Sequence, residues 1–293
     1  MLKLLTKLIF KNGGLDDLKN KLNKIRINQG KILDLSIKDK SLNELNDYHY
    51  SIFSQFNEDS VIQYLIKNLK IENKIFIEIG VENYEEANTR YLLENNNWEG
   101  LIIDSSKENI NIVKKQNYFW RHKLKAENTF INVENVNEII DKYKFPKQIG
   151  LLSIDIDGND YWIWEAISVV SPDILVIEYN ALYGSEKSLT LKYEKNFKRP
   201  DKGIYKCLYG ASLKALTSLS ERKGYSLVAT NLNGNNAFFV KQTLLNDKVY
   251  EQDYKTCFKE NSFKEHIDKD GEISALRKEE IDELLNNKNV IEV

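Results

Sequence analysis

From residue 75 onward, short apolar runs rich in β-branched residues alternate with stretches whose apolar positions recur every three or four residues. The runs cover 75–81, 100–104, 123–131, 150–156, 174–179, 225–230 and 236–241, and each is read as a strand. The segments 85–97, 107–117, 134–143, 160–168 and 211–223 carry helical spacing. Upstream, Asn57 is placed to cap a helix whose apolar face is Val61, Ile62, Tyr64, Leu65, Ile66 and Leu69. Repeated strand–helix units predict a parallel sheet with helices on both faces. Only Asn231-Leu232-Asn233-Gly234-Asn235 separates the last two strands, which makes a hairpin and turns the final strand antiparallel. The expected class is α/β, with a seven-stranded, mostly parallel sheet closed by an antiparallel C-terminal hairpin strand.

The same pattern divides the chain of 293 residues. Residues 1–50 are polar and lysine-rich, read as an N-terminal helical extension. Residues 51–241 hold the sheet, and residues 242–293 form a charged tail, helical in pattern. A long connection, 181–209, lacks clear periodicity, and such loops in α/β enzymes usually build substrate sites. In residues 1–10, Lys3 and Lys7 interrupt the apolar positions, no small-residue cleavage site follows, and the stretch is too short to cross a bilayer. Packing on the domain, or disorder, is favoured there over an amphipathic contact with membrane or partner. No stable membrane insertion is expected.

Composition narrows the partners. Charged residues make up 29% and the net charge is −2, so no overall basic field draws the chain to nucleic acid. Cys207 and Cys257 are the only cysteines and form no CxxC pair. Neither a disulfide scaffold nor a structural zinc site follows, and a reducing cytoplasm fits best.

Candidate chemistry gathers at the ends of the predicted strands. The first turn, Glu78-Ile79-Gly80-Val81-Glu82-Asn83-Tyr84, has one glycine where a dinucleotide fold wants G-x-G-x-x-G. Its acids, with Glu85 and Glu86, are hostile to pyrophosphate and suit a ligand with a cationic amino-acid head, such as S-adenosylmethionine. A plain tight turn needs only Gly80 and Asn83. Asp104, ending the second strand, can accept from both hydroxyls of a ribose, while Ser105 or Ser106 better serves as the following helix cap. The densest constellation is Ser153-Ile154-Asp155-Ile156-Asp157-Gly158-Asn159-Asp160, beside Glu178 and Asn180 on the next strand. Oxygen ligands from adjacent strand ends can hold Mg²⁺ or act as a general base toward a hydroxyl; the bland alternative is an N-cap plus a solvated rim.

Taken with Ser54-Gln55-Phe56-Asn57-Glu58-Asp59 and Val176-Ile177-Glu178-Tyr179-Asn180, this ordered set resembles class I S-adenosylmethionine-dependent methyltransferases. More narrowly it is similar to FkbM-type and related bacterial enzymes of surface-polysaccharide and natural-product O-methylation. The resemblance spans about residues 51–241 and implies a Rossmann-like sheet. It implies cofactor contacts from Gln55, Glu78, Gly80, Asp104 and Ser105, an adenine border at Asn132 and Val133, and Asp155 near the transferring methyl. Asp155, Asp157 and Glu178 become the catalytic candidates. Asp157, Glu178 and Asn180 resemble the ligand set of the metal-dependent members. The acceptor implied is a small molecule or glycan precursor, and a homodimer is compatible with it. One departure stands out: the family usually places a second glycine where Glu82 stands.

His49, His122 and His266 belong to no metal-spacing motif and are read as ordinary packing or surface histidines. Tyr161, Trp162 and Trp164 are assigned to helix packing, and Ser212 to capping a helix. Lys198, Arg199 and Lys202 read as solvated charge unless the acceptor carries phosphate. Two rival functions remain: a metal-dependent glycosyltransferase using Asp155-Ile156-Asp157 as a DxD motif, and a non-catalytic adenosylmethionine-binding protein. A nicotinamide dehydrogenase is weaker, for want of glycines.

Overall fold

A computed structural model describes residues 14–37, 40–42, 49–264, 266–268 and 271–293. The stretch 1–13 lies outside the described residues, as do residues 43–48. In chain order the helices and strands begin with α1 (Gly14–Ser36), α2 (Glu58–Asn68), β1 (Ile75–Ile79), α3 (Arg90–Glu94) and β2 (Glu99–Asp104). There follow α4 (Lys107–Lys114), α5 (Asn117–Arg121), β3 (Leu124–Asn128), α6 (Val136–Asp141), β4 (Gln148–Ile154), α7 (Asp160–Ala166) and β5 (Ser171–Glu178). After β6 (Leu189–Leu191) come α8 (Leu213–Arg222), β7 (Tyr225–Thr230) and β8 (Asn236–Lys241).

Seven strands form one sheet in the order β3-β2-β1-β4-β5-β8-β7. The first five pair in parallel, and β8 runs antiparallel to both its neighbours. This is a Rossmann-like, doubly wound sheet with the hairpin edge that the pattern of residues predicts. Its strands are apolar on both faces because helices cover both. Phe76, Leu151, Ile174, Val176 and Phe238 pack toward the α2 side. Ile77, Leu101, Leu152, Leu175 and Phe239 pack toward α7 and α8. Strand order reverses between β1 and β4, and a crevice opens there beyond the carboxyl ends, where open α/β sheets bind ligands.

Several expectations shift in detail. The helix read over 85–97 is only Arg90–Glu94, because Glu82 and Tyr84 adopt positive φ (47° and 60°) and hold the chain in turns. The third strand stops at Asn128, and the next residues curve over the crevice. Asn57 precedes α2 but makes no side-chain cap bond; its Oδ1 accepts from Leu232 N across the molecule (2.9 Å). Ser212 does cap α8, accepting from Ala215 N (3.1 Å).

The tail contains helices α9 (Tyr254–Cys257) and α10 (Lys278–Leu285), but also the short strands β9 (His266–Ile267), β10 (Ile273–Ser274) and β11 (Val290–Glu292). Strand β11 pairs antiparallel with β6 inside the 181–209 connection. Leu284, Tyr183, Leu189 and Leu208 form a small apolar cluster beneath that pair.

Candidate active site

The carboxyl ends of β1, β2, β4 and β5 and the β7–β8 turn surround a cavity of about 450 Å³. That volume suits one drug-sized ligand. Gly80, at φ 83°, lies where β1 and β4 converge, and a Cβ there would overlap the carbonyl oxygen of Asp155. Past it, Asp104 organises the loop. Its Oδ2 accepts from Glu82 N (2.8 Å) and Val81 N (3.3 Å), and its Oδ1 from Ser106 N (2.7 Å). Glu82 therefore takes the left-handed backbone that a glycine would supply at its position, held by the Asp104 carboxylate. Ser106 rather than Ser105 caps α4, accepting from Asn109 N (3.2 Å); Ser105 lines the cavity.

Glu78 also borders the cavity, yet its carboxylate faces a structural task. It accepts from Asn88 N (2.8 Å), Thr89 N (3.1 Å) and the Thr89 hydroxyl, fixing the chain ahead of α3. Burial pushes its carboxyl up to about 7. The neighbouring Ser54–Asp59 motif proves mostly architectural too. Asp59 accepts from the N–H groups of Ile52, Phe53 and Ser54 (2.7, 2.7 and 2.9 Å). Glu58 accepts from Asn231 and Asn236 (2.7 and 3.0 Å), which ties α2 to the hairpin turn. Of that motif only Gln55, exposed, lines the cavity.

Asn132 and Val133, the expected adenine border, do not form the cavity wall on that side. Asn132 Oδ1 accepts from Glu134 N and Asn135 N (3.1 and 3.0 Å), closing the turn into α6, and neither residue lines the cavity. Thr129, Phe130 and Ile131 form that wall, because β3 ends early.

Beneath the β4 and β5 ends, Asp155, Asp160 and Glu178 each present an oxygen within 4.8 Å of the others. Burial, then repulsion by neighbouring carboxylates, pushes Asp155 and Glu178 well above the ordinary range, and burial lifts Asp160 to about 6. Asp160 accepts from Ile156 N (2.9 Å) and Gly158 N (3.0 Å), closing the loop after β4. Glu178 Oε2 is buried with no hydrogen-bond partner. Three converging hard oxygens, with one oxygen of the Glu178 carboxylate buried without a partner, fit a divalent cation.

This cluster replaces the ligand set expected from sequence. Asn180 is 1% exposed; its Oδ1 accepts from Leu182 N (3.0 Å) and its amide donates to the Cys207 and Tyr209 carbonyls (2.9 and 3.0 Å). Asp157, at φ 58°, stays near the rim and pairs with Arg199. Arg199, read as solvated charge, is instead a cavity wall: its guanidinium lies 3.8 Å over the Tyr209 ring and donates through Nε to Lys206 O (2.7 Å).

Asn235, Asn236, Phe197 and Phe263 line the cavity without having been singled out from the sequence. For the two asparagines a signal existed. Once the last strand is antiparallel, its first residues must lie at the carboxyl end of β5, and Asn236 pairs with Glu178. Phe263, stacked on Phe56 at 5.2 Å, comes from the tail and had none. Trp164 and Tyr161 pack in the core, and Trp162 donates to Leu191 O (2.8 Å). None of the three histidines borders the cavity.

No family model matches the chain, and neither does any curated protein. Among solved structures it is similar to a putative caffeoyl-CoA O-methyltransferase from Staphylococcus aureus, at 13% identity over 73% of this chain and 99% of that one, TM-score 0.43. It is similar as well to an O-methyltransferase from Bacillus cereus solved with SAH, at 12% identity over 72% and 79%, TM-score 0.38. A SAM-dependent methyltransferase from Aquifex aeolicus aligns at 13% identity over 68% and 96%, TM-score 0.38. Likenesses of this size leave the functional reading to the strand order and the cavity.

Proposed function

We propose that the chain is an S-adenosylmethionine-dependent O-methyltransferase acting on a carbohydrate, nucleotide-sugar or phosphorylated surface-glycan precursor. The observation that carries the reading is one cavity with two kinds of acid: Asp104 fixed at the end of β2, and the Asp155, Asp160 and Glu178 cluster below β4 and β5. Asp104 keeps one acceptor site, on Oδ1, for a ribose hydroxyl beside its three bonds to backbone N–H groups. Glu82 and Glu86 line the same side and complement a cationic amino-acid head. The single-glycine loop disfavours dinucleotides.

Adenosylmethionine, held by Asp104 with Glu82 and Glu86, would supply an electrophilic methyl group on a sulfonium centre. The chain's task is alignment and removal of one proton. Asp155 and Glu178, raised by burial, are strong bases toward a hydroxyl once ionised. Mg²⁺ held by Asp155, Asp160 and Glu178 would supply Lewis-acid activation of that hydroxyl. The DxD reading is disfavoured, because Asp157 turns to Arg199 and stands outside the cluster.

Support for a glycan-type acceptor comes from a second cavity of about 430 Å³ that shares Phe197 with the first. Tyr193, Tyr205, Lys192 and Lys198 line it, offering aromatic faces to a sugar and ammonium groups to a phosphate. Thermal denaturation tests the whole reading. S-adenosylhomocysteine should raise the midpoint, whereas NAD and UDP with Mn²⁺ should not; a shift with UDP–Mn²⁺ alone would sink it. Transfer of labelled methyl into a panel of glycan precursors then identifies the acceptor.

A further inference from the structure

Helix α1 has two unlike faces. On one, Asn23, Ile27, Gly30 and Asp34 turn toward the domain. Asp34 accepts from the hydroxyls of Tyr50 and Tyr91, and a Cβ at Gly30 would strike the Tyr91 ring. Those contacts fix the rotation of the helix. Its opposite face carries Leu18, Leu22, Ile25 and Ile32, with Leu35 at its edge, between 51% and 70% exposed. Their spacing makes an apolar stripe, interrupted at Gln29, that the domain does not cover.

Cations flank the stripe. Lys21, Lys24 and Lys31 border it, against Asp17, whereas Lys19 and Arg26 turn to the domain, Lys19 pairing with Glu85 and Arg26 lying 5.0 Å over the Phe53 ring. The asymmetry extends along the sequence: residues 1–36 hold eight lysines and arginines against three aspartates, whereas the remainder holds 34 basic against 41 acidic residues. We propose that α1 docks the protein on an anionic bilayer surface, its apolar stripe in the headgroup layer and its lysines reaching lipid phosphates.

Charge decides against a second copy as the occupant. Two such helices packed through the stripe would set the lysines that flank it, Lys21 and Lys24 among them, against one another. A lipid phosphate layer turns the same cations into attraction. Docking also brings the active cavity close to the surface, because Lys19 pairs with Glu85, whose neighbour Glu86 lines that cavity.

Sedimentation of the full chain with vesicles provides the test. It should pellet with equal parts phosphatidylcholine and phosphatidylglycerol, not with phosphatidylcholine alone, and high salt should release it. Leu22→Glu with Ile25→Glu should weaken binding about tenfold or more while leaving circular dichroism and thermal midpoint unchanged. Lys24→Glu with Lys31→Glu, which keeps the stripe, should weaken it about tenfold too. Equal binding to both vesicle types, binding to neither, or unchanged binding by either double variant would overturn the proposal. So would a dimer that Ile25→Glu dissociates in a chain that ignores vesicles.

Discussion

The two halves of the cavity use the same side-chain chemistry in opposite ways. Below β1 and β2, carboxylates are satisfied: Asp104 and Glu78 each accept three hydrogen bonds, mostly from backbone N–H groups. Below β4 and β5, no hydrogen bond reaches the carboxylate of Asp155 or Glu178 among the described residues, and Glu178 Oε2 is buried without a partner. Acids of the first kind hold loops in unfavourable backbone conformations, which is a structural use of charge. Acids of the second kind raise the free energy of the free protein and keep their lone pairs for a ligand. A protein retains such groups where chemistry needs them.

Gly80 joins the halves, so its substitution should have the largest effect. Gly80→Ala forces a Cβ into the Asp155 carbonyl and places an L side chain at positive φ. Loss of roughly 3 kcal/mol or more in urea unfolding is expected, with cofactor-induced stabilisation abolished. A change below about 1 kcal/mol would mean that the two strand ends are not locked together.

Next come paired amide substitutions, which should act with opposite signs. Glu78→Gln removes a charge that accepts three bonds and should cost about 1–3 kcal/mol. Glu178→Gln relieves repulsion in the cluster and should leave stability unchanged or raised. It should nevertheless lower methyl transfer by about a hundredfold, the scale of a lost general base or metal ligand. If both variants destabilise alike, the contrast between the halves fails. Chelation by EDTA then separates the roles: turnover that survives it leaves the cluster as a base alone.

Much of this fold was legible in the sequence, since strands buried on both faces announce themselves as apolar runs and the Asn-Gly turn marks the hairpin. The position of Asp104 followed from the strand ends alone. What was not legible depended on partners distant in sequence. Asn180 looks like a ligand until the carbonyls of Cys207 and Tyr209 claim its amide. Arg199 looks solvated until Tyr209 and Asp157 appear beside it. Glu82 shows a further limit: a residue count cannot reveal that a non-glycine holds a glycine-like backbone because a carboxylate 22 residues away in sequence accepts its N–H.

A smaller effect should appear in stability against pH. Burial raises Glu78 to about 7 and Asp59 and Asp160 to about 6, and it raises Asp155 and Glu178 well above the ordinary carboxylate range. The folded state therefore holds protons that the unfolded chain has released. Stability should be greatest near the ordinary carboxylate range, fall as pH rises through about 6 and 7, and level off once these acids are ionised in both states. Thermal midpoints across that window should decline. Glu178→Gln should flatten that decline; an unchanged slope would place the strain outside the β4–β5 half.

Arg199 offers the finest discrimination. Its pairing with the exposed rim residue Asp157 is worth about 1 kcal/mol or less and its buried stacking on Tyr209 about 2 kcal/mol, so Arg199→Met should lower the unfolding midpoint only modestly. Its charge nevertheless acts on the cluster, since the guanidinium lowers the carboxyl groups of both Asp155 and Glu178 against the pull of burial. Removing it should let both rise further. The acid limb of the rate profile should then move to higher pH while the plateau stays put, because the base itself remains. Arg199→Lys, which keeps the charge but not the planar stack, should restore the limb. A lowered plateau with an unmoved limb would instead assign Arg199 to holding the acceptor, and would shift the weight of catalysis from the buried acids to the long loop that covers them.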